Sequence, residues 1–166
     1  MYTGVQTEEP NAYMVTVWDD IKSHQKVIAN QELFASQIAS LQPTMSSPPT
    51  SIIHANFQSD YTPVFAAPVT EFALVTPKPG VDRKVTEAKV HAIAVMAGIT
   101  PGCKAISGTW GPVVEKDETY LLMLGWLTVE DHWEEIKTGP LTEPVKELLA
   151  ENDIVLTHAK LRTQVI

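Results

Sequence analysis

Apolar residues along this chain come in short runs that switch between a two-residue period and one near 3.6 residues, the alternation of strands with amphipathic helices. The pattern predicts a strand over residues 2–6, a turn at Pro10-Asn11, and a strand over 13–18 rich in β-branched and aromatic residues. Asp20 has the chemistry of an N-cap for a helix opening at Ile21, and Asn30 can cap a second helix over 31–41 that Pro43 ends. A polar linker over 45–50 carries Ser46-Ser47-Pro48-Pro49, a strand follows over 51–57, and 58–68 is an irregular join.

Beyond the join the pattern is more regular. A strand is predicted over 70–76, then the loop Pro77-Lys78-Pro79-Gly80. The helix over 85–97 takes its apolar face from Val85, Ala88, Val90, Ala92, Ile93 and Met96, and Gly98, Pro101 and Gly102 break it. Strands are predicted over 104–114, with a bulge at Gly108, and over 119–126, joined by a turn at 115–117. Thr128-Val129-Glu130-Asp131 reads as a capping box opening a helix that runs to about Lys137. Gly139-Pro140 interrupts it, Thr142 caps a last helix over 143–151, and a strand closes the chain over 154–161. The order βαββαβ is that of a ferredoxin-like unit. Only ββαβ is visible in the first half. The expected class is therefore α+β: an incomplete ferredoxin-like half over 1–60 and a complete one over 61–166.

The two halves share a motif. Residues 13–18 end in Trp18, and His24 follows six positions later; residues 120–126 end in Trp126, and His132 follows at the same spacing. Ile53-His54-Ala55 is echoed by Thr157-His158-Ala159. A repeat of roughly a hundred residues is too long for a solenoid unit and fits two related halves packed together.

Composition narrows the partners. A net charge of −8 argues against binding nucleic acid or an anionic membrane unaided. The single Cys103 excludes an internal disulfide and a cysteine-based zinc site, and suits a reducing compartment. No signal core or membrane-length apolar run is visible, so a cytoplasmic protein is expected. The chain has no phosphate-cradling glycine loop, no nucleotide fingerprint, no Gly-x-Ser-x-Gly elbow and no paired-histidine metal spacing, so no cofactor and no metal is expected.

The strand at 120–126 with its terminal Trp126, the Thr128 cap, His132 and the Gly139-Pro140 break, repeated in part at 13–24, resembles the dimeric α+β barrel superfamily, in the form of tandem antibiotic-biosynthesis-monooxygenase-like domains common in fungi. Most of the chain takes part, residues 60–166 more closely. The resemblance implies a barrel made from two sheets, a homodimer, and a pocket between sheet and helices. Its members include cofactor-free oxygenases of polyketide anthrones, polyketide cyclases, haem-degrading enzymes and stress-induced proteins. The haem-degrading members space Trp and His more widely than Trp126 and His132, so their chemistry is not carried over.

Within that frame the histidines are the groups that titrate near neutrality. His132, near a helix N-terminus, would be held neutral and could act as a general base. Its repetition as His24 favours instead a packing role beside Trp126 and Trp18, since a reason common to both halves points to structure. Alternation puts His158 in line with Ile154 and Leu156, partly buried and in need of a partner; which face that is cannot be read from periodicity. His158 and His132 are the candidate acid–base residues. Trp126, Trp110, Tyr120, Phe72 and His91 are the candidate lining of a pocket for a planar ligand, although aromatics at this density also make a core. The leading expectation is a cofactor-independent cyclase, isomerase or monooxygenase of secondary metabolism. Its substrate would be a hydrophobic polyketide-like or terpenoid molecule. The alternative is a non-catalytic small-molecule-binding or stress-response protein on the same fold.

Overall fold

The computed structural model describes residues 1–41, 47 and 49–164. Pro43, and Met45, Ser46 and Pro48 of the expected linker at 45–50, lie outside the described residues. The chain divides into two compact units, one made of residues 1–15 and 55–166 and the other of 16–54.

The larger unit is an α+β fold on one antiparallel sheet. In chain order it contains β1 (Tyr2–Gln6), β2 (Ala12–Val15), a short helix that is α3 (Thr62–Phe65), β3 (Val69–Pro77), α4 (Arg83–Met96), β4 (Ser107–Pro112), β5 (Tyr120–Trp126), α5 (Val129–Thr138), α6 (Thr142–Glu151) and β6 (Asn152–Thr163). The smaller unit holds α1 (Ile21–Ala29) and α2 (Gln31–Leu41). The sheet order is β2-β1-β6-β3-β5-β4. Its last four strands and their helices are the complete ferredoxin-like half that the βαββαβ order predicts. The first two strands extend the same sheet, because β1 pairs with the outer part of β6.

Local chemistry sets the helix starts. Asp20 Oδ1 accepts from the Ser23 backbone N–H at 2.7 Å, and Asn30 Oδ1 accepts from Leu33 at 3.1 Å, both as the caps predict. Asp82 caps α4 through Lys84 N–H at 2.9 Å, so that helix begins two residues before the apolar pattern does. Thr142 is the first residue of α6 rather than its cap, and its hydroxyl donates to the Gly139 carbonyl at 2.8 Å.

The expected strand at 51–57 is reduced to one bridge, Ala55 to Val113. Its neighbour β4 ends in Pro112, which has no N–H for a longer ladder. Asn56 N–H reaches the Pro112 carbonyl and Gln58 N–H the Trp110 carbonyl, and pairing stops there. The strand expected at 13–18 ends at Val15, leaving Trp18 outside the sheet.

One sheet face carries Val69, Ala73, Val75, Leu122, Leu124 and Trp126 against Val90, Ile93 and Ala94 of α4 and Leu148 of α6. Ile154 and Leu156 of β6 pack on the same core, so His158, in phase with them, is on the helix side. Gly108 lets α4 approach β4: a Cβ there would stand 2.5 Å from the Ala94 carbonyl oxygen.

Candidate functional site

Three elements bring polar groups into the helix-side core. Trp126 closes β5. Two residues on, Thr128 Oγ1 accepts from the Asp131 backbone N–H at 3.1 Å, opening α5 so that His132 turns inward from its first full turn. Glu71 on β3 lies directly between Leu124 of β5 and His158 of β6 in the ladder. His158 is fully buried, His132 is 3% exposed, and Glu71 is also buried.

These groups form a chain. The Trp126 indole N–H donates to Glu71 Oε2 at 2.8 Å. The same carboxyl oxygen lies 3.7 Å from His132 Nε2. His132 Nδ1 is 2.9 Å from His158 Nε2, and His158 Nδ1 is 2.5 Å from Glu8 Oε1. Glu8 sits in the turn between β1 and β2, anchored where Thr7 N–H donates to the His158 carbonyl at 2.8 Å. The His158 backbone N–H donates to both Glu8 oxygens, at 3.1 and 3.0 Å. One carboxylate therefore holds the main chain and the ring of the same residue.

Burial sets the electrostatics. It pushes the Glu71 carboxyl up to about 8, against the pull of the Trp126 N–H. Burial also depresses His132 to about 4, helped by the charge that His158 can carry and opposed by Glu8. Partial burial alone would raise Glu8, but the His158 backbone and ring outweigh it and hold the carboxyl below its usual value.

The network assigns the tautomers. An ionised Glu8 requires the proton of His158 on Nδ1. His158 Nε2 is then a lone pair and takes a hydrogen bond from His132 Nδ1–H. His132 Nε2 is in turn a lone pair facing Glu71, which is protonated at neutral pH. The donors at His132 and His158 point the same way, toward Glu8.

Glu71, His132 and His158 are the residue types that hold transition metals, and their donor atoms lie within 4.8 Å of one another. A tetrahedral site with bonds of about 2.1 Å needs donors about 3.4 Å apart and free of other partners. Here the facing nitrogens of the two imidazoles are hydrogen-bonded to each other. The pair is held as a hydrogen-bond chain, and a metal ion would need the two facing nitrogens to part.

A second group of candidates gathers at the far end of β5. Arg83, Lys84, Glu87, Ala88 and His91 of α4 line an open cleft of about 350 Å³ with Trp110. Trp110 Nε1–H donates to His91 Nδ1 at 3.2 Å, which leaves the His91 Nε2–H as a donor. Tyr120 packs on Trp110 at 5.8 Å and donates to Glu87 Oε2 at 3.0 Å. Tyr120 and Trp126 lie at opposite ends of β5, about 20 Å apart at the usual rise.

The structure thus brings Trp126, His132 and His158 together at one place, and His91, Trp110 and Tyr120 at another. Phe72 joins neither: it stacks on Tyr13 at 4.4 Å, on the sheet face away from the helices. Trp133, 43% exposed, lies against the histidine pair, with ring centroids 4.5 Å from His132 and 5.9 Å from His158.

Sequence reasoning missed both carboxyls. Glu71 had a signal: it alternates with Val69, Ala73 and Val75, a lone acid on an apolar face. Glu8, beside Glu9 and Pro10, reads as an ordinary solvated turn.

The smaller unit contains a second histidine pair. Trp18 stacks on His24 at 4.5 Å, and His24 Nδ1 stands 2.6 Å from His54 Nε2. Both rings are half-buried.

No protein-family model matches the chain, and no curated protein matches it. Solved structures do. A proposed monooxygenase from Fusobacterium nucleatum superposes with a TM-score of 0.62 at 9% identity, covering 98% of this chain and 75% of that one. A proposed monooxygenase from Lactobacillus acidophilus gives 0.61 at 12% identity, covering 97% and 75%. A cofactor-independent oxygenase from Streptomyces nogalater gives 0.42 at 16% identity over 60% of this chain and 96% of its own. At such identities the likeness is one of fold. The chain has the α+β fold of the Fusobacterium and Lactobacillus proteins across nearly its whole length.

Proposed function

We propose that the protein is a cofactor-independent enzyme acting on a hydrophobic polyketide-like or terpenoid small molecule, by cyclisation, isomerisation or oxygenation, with proton transfer at His132 and His158. The observation that carries this reading is the 2.9 Å contact between two buried imidazoles with a carboxyl at either end. Burying three titratable groups, Glu71, His132 and His158, costs stability that apolar residues in their place would not. Two strongly perturbed titratable groups side by side, Glu71 and His132, support acid–base work here. The Trp133 ring lies against His132 and meets His158 edge-on, and a planar substrate taking its place would meet both. A homodimer through the sheet face opposite the helices is part of the proposal, and it would cover Val155, which is 66% exposed on that face.

The test is deuterium incorporation from D₂O into an enolisable anthrone, followed by NMR. The protein should accelerate exchange, and His132→Ala or His158→Ala should each remove about a hundredfold or more of that acceleration. Exchange no faster than in buffer would overturn the proposal.

A second reading is a non-catalytic small-molecule binder. The cleft beside Trp110 favours it, since that cleft is open while the histidine pair is enclosed. Quenching of tryptophan fluorescence by an anionic aromatic ligand, lost in Trp110→Phe and unaccompanied by turnover, would support it.

A further inference from the structure

We propose that Glu71, His132, His158 and Glu8 form one directional proton relay, with Glu71 as its buried terminus and Glu8 as its solvent-side terminus. This extends the acid–base role given above to two positioning residues, and it rests on geometry that can be read without turnover.

The contacts supply the path. Glu8 is at the surface, its side chain 35% exposed, and it touches His158 through Nδ1. His158 touches His132 nitrogen to nitrogen, and the far nitrogen of His132 faces Glu71. Among the described residues, the groups facing Glu71 are Trp126 and Leu124 from β5, His158 from β6 and His132 from α5. None of these is a fixed cation that would hold Glu71 ionised. The Trp126 N–H is the donor that would steady its carboxylate when formed.

Transfer balances as three coupled steps. The Glu71 O–H bond breaks and its proton goes to His132 Nε2. The His132 Nδ1–H bond breaks and that proton goes to His158 Nε2. The His158 Nδ1–H bond breaks and that proton goes to Glu8 Oε1. Both imidazoles end neutral in the opposite tautomer, and one negative charge has moved from Glu8 to Glu71. The reverse sequence resets the chain. One link is open at rest: 3.7 Å between Glu71 and His132 exceeds a hydrogen bond. Closing that gap by about 1 Å connects the path.

The relay makes a prediction that packing does not. The two carboxylates demand opposite tautomers, so the ring of His132 must answer to the ionisation of Glu71. At pH 7 both His132 and His158 should carry their proton on Nδ1. As pH rises and Glu71 ionises, His132 should move to the Nε2–H form to donate to the new carboxylate, giving up the hydrogen bond from its Nδ1 to His158 Nε2.

The experiment is long-range ¹H–¹⁵N correlation of the imidazole nitrogens in the uniformly labelled full chain between pH 6 and 9.5, with ¹³C detection of the Glu71 carboxyl. We expect the His132 tautomer to change with the same midpoint as the Glu71 carbon. In Glu71→Gln that change should vanish. In Glu8→Gln the Nε2–H form of His158 should become populated at pH 7. The rings of His24 and His54 serve as internal controls and should not follow Glu71. A His132 tautomer constant across the Glu71 titration, or one that still switches in Glu71→Gln, would overturn the relay. Should a variant fail to fold, the wild-type titration alone decides. Loss of anthrone exchange in His158→Ala with no tautomer switch would leave the enzyme reading standing and remove the relay. A tautomer switch without exchange activity would do the reverse.

Discussion

His24 Nδ1 stands 2.6 Å from His54 Nε2, the same pairing of ring nitrogens that joins His132 to His158 at 2.9 Å. The sequence repeat has therefore reproduced a contact and not merely a residue pattern. The copies differ in enclosure: His132 and His158 are buried, His24 and His54 half-buried. His132→Ala and His158→Ala should lower turnover about a hundredfold, the scale of a lost general base. His24→Ala and His54→Ala should cost roughly 1–3 kcal/mol of stability with little loss of turnover. Rates compared at matched folded fraction decide, and equal losses from both copies would mark the repeat as structural.

Stability should depend on pH in a pattern set by two opposed groups. Glu71 is raised in the folded state to about 8, so its stabilising contribution is complete below the unfolded carboxyl value and is lost as pH rises toward and through 8. His132 is lowered to about 4, so its contribution is present above the unfolded imidazole value and is lost as pH falls through 4. Between about 4.5 and 6.5 the two oppose each other. Above that window Glu71 acts alone, and wild type should lose stability relative to Glu71→Gln by at most about 1.4 kcal/mol per pH unit. Urea unfolding of both proteins at pH 6.5 and 8 measures it; a constant difference would show that Glu71 is ionised throughout.

Gly108→Ala should be among the costlier single substitutions. Its Cβ would meet the Ala94 carbonyl oxygen at 2.5 Å and the Ala94 Cα at 2.9 Å, both backbone atoms of α4. Helix and strand must separate, which costs about 1–3 kcal/mol. Chemical denaturation measures this, and an unchanged midpoint would place α4 farther from β4 than described.

The proposed homodimer makes Val155 a contact residue. Light scattering at micromolar concentration should give twice the chain mass, and Val155→Asp should shift the protein toward monomer. A monomeric wild type would refute the assembly.

Purified protein should be colourless and hold no stoichiometric transition metal, since the facing nitrogens of His132 and His158 are committed to each other. One equivalent of zinc or iron, or a flavin spectrum, would require the pair to open.

Much of the fold was legible because its signals are local. Asp20, Asn30 and Thr128 cap where their side chains predict, and the βαββαβ order follows from apolar periodicity alone. The strand at 51–57 was misread because its residues suit a strand, while pairing was limited by Pro112, far away in sequence. The site was half legible. His132 and His158 stood out by residue type and repetition. Glu8 could not, since its partner lies 150 residues along the chain and only the pairing of β1 with β6 brings them together. Phase alone did not say which face of β6 is inside; Ile154 and Leu156 answer that only when packed.

The Glu8 carboxylate occupies the slot in the β6 ladder where a neighbouring strand's carbonyl would ordinarily receive the His158 amide. Continuity of the inner path is therefore decided in an exposed hairpin loop. Such loops open locally at far lower free energy than the core unfolds. Each opening would detach the outer carboxylate while Trp126, Glu71 and His132 stay in register. Hydrogen exchange at the single amide of His158 would then count these interruptions. The buried histidines would communicate with water in bursts, at a rate set by a turn on the surface.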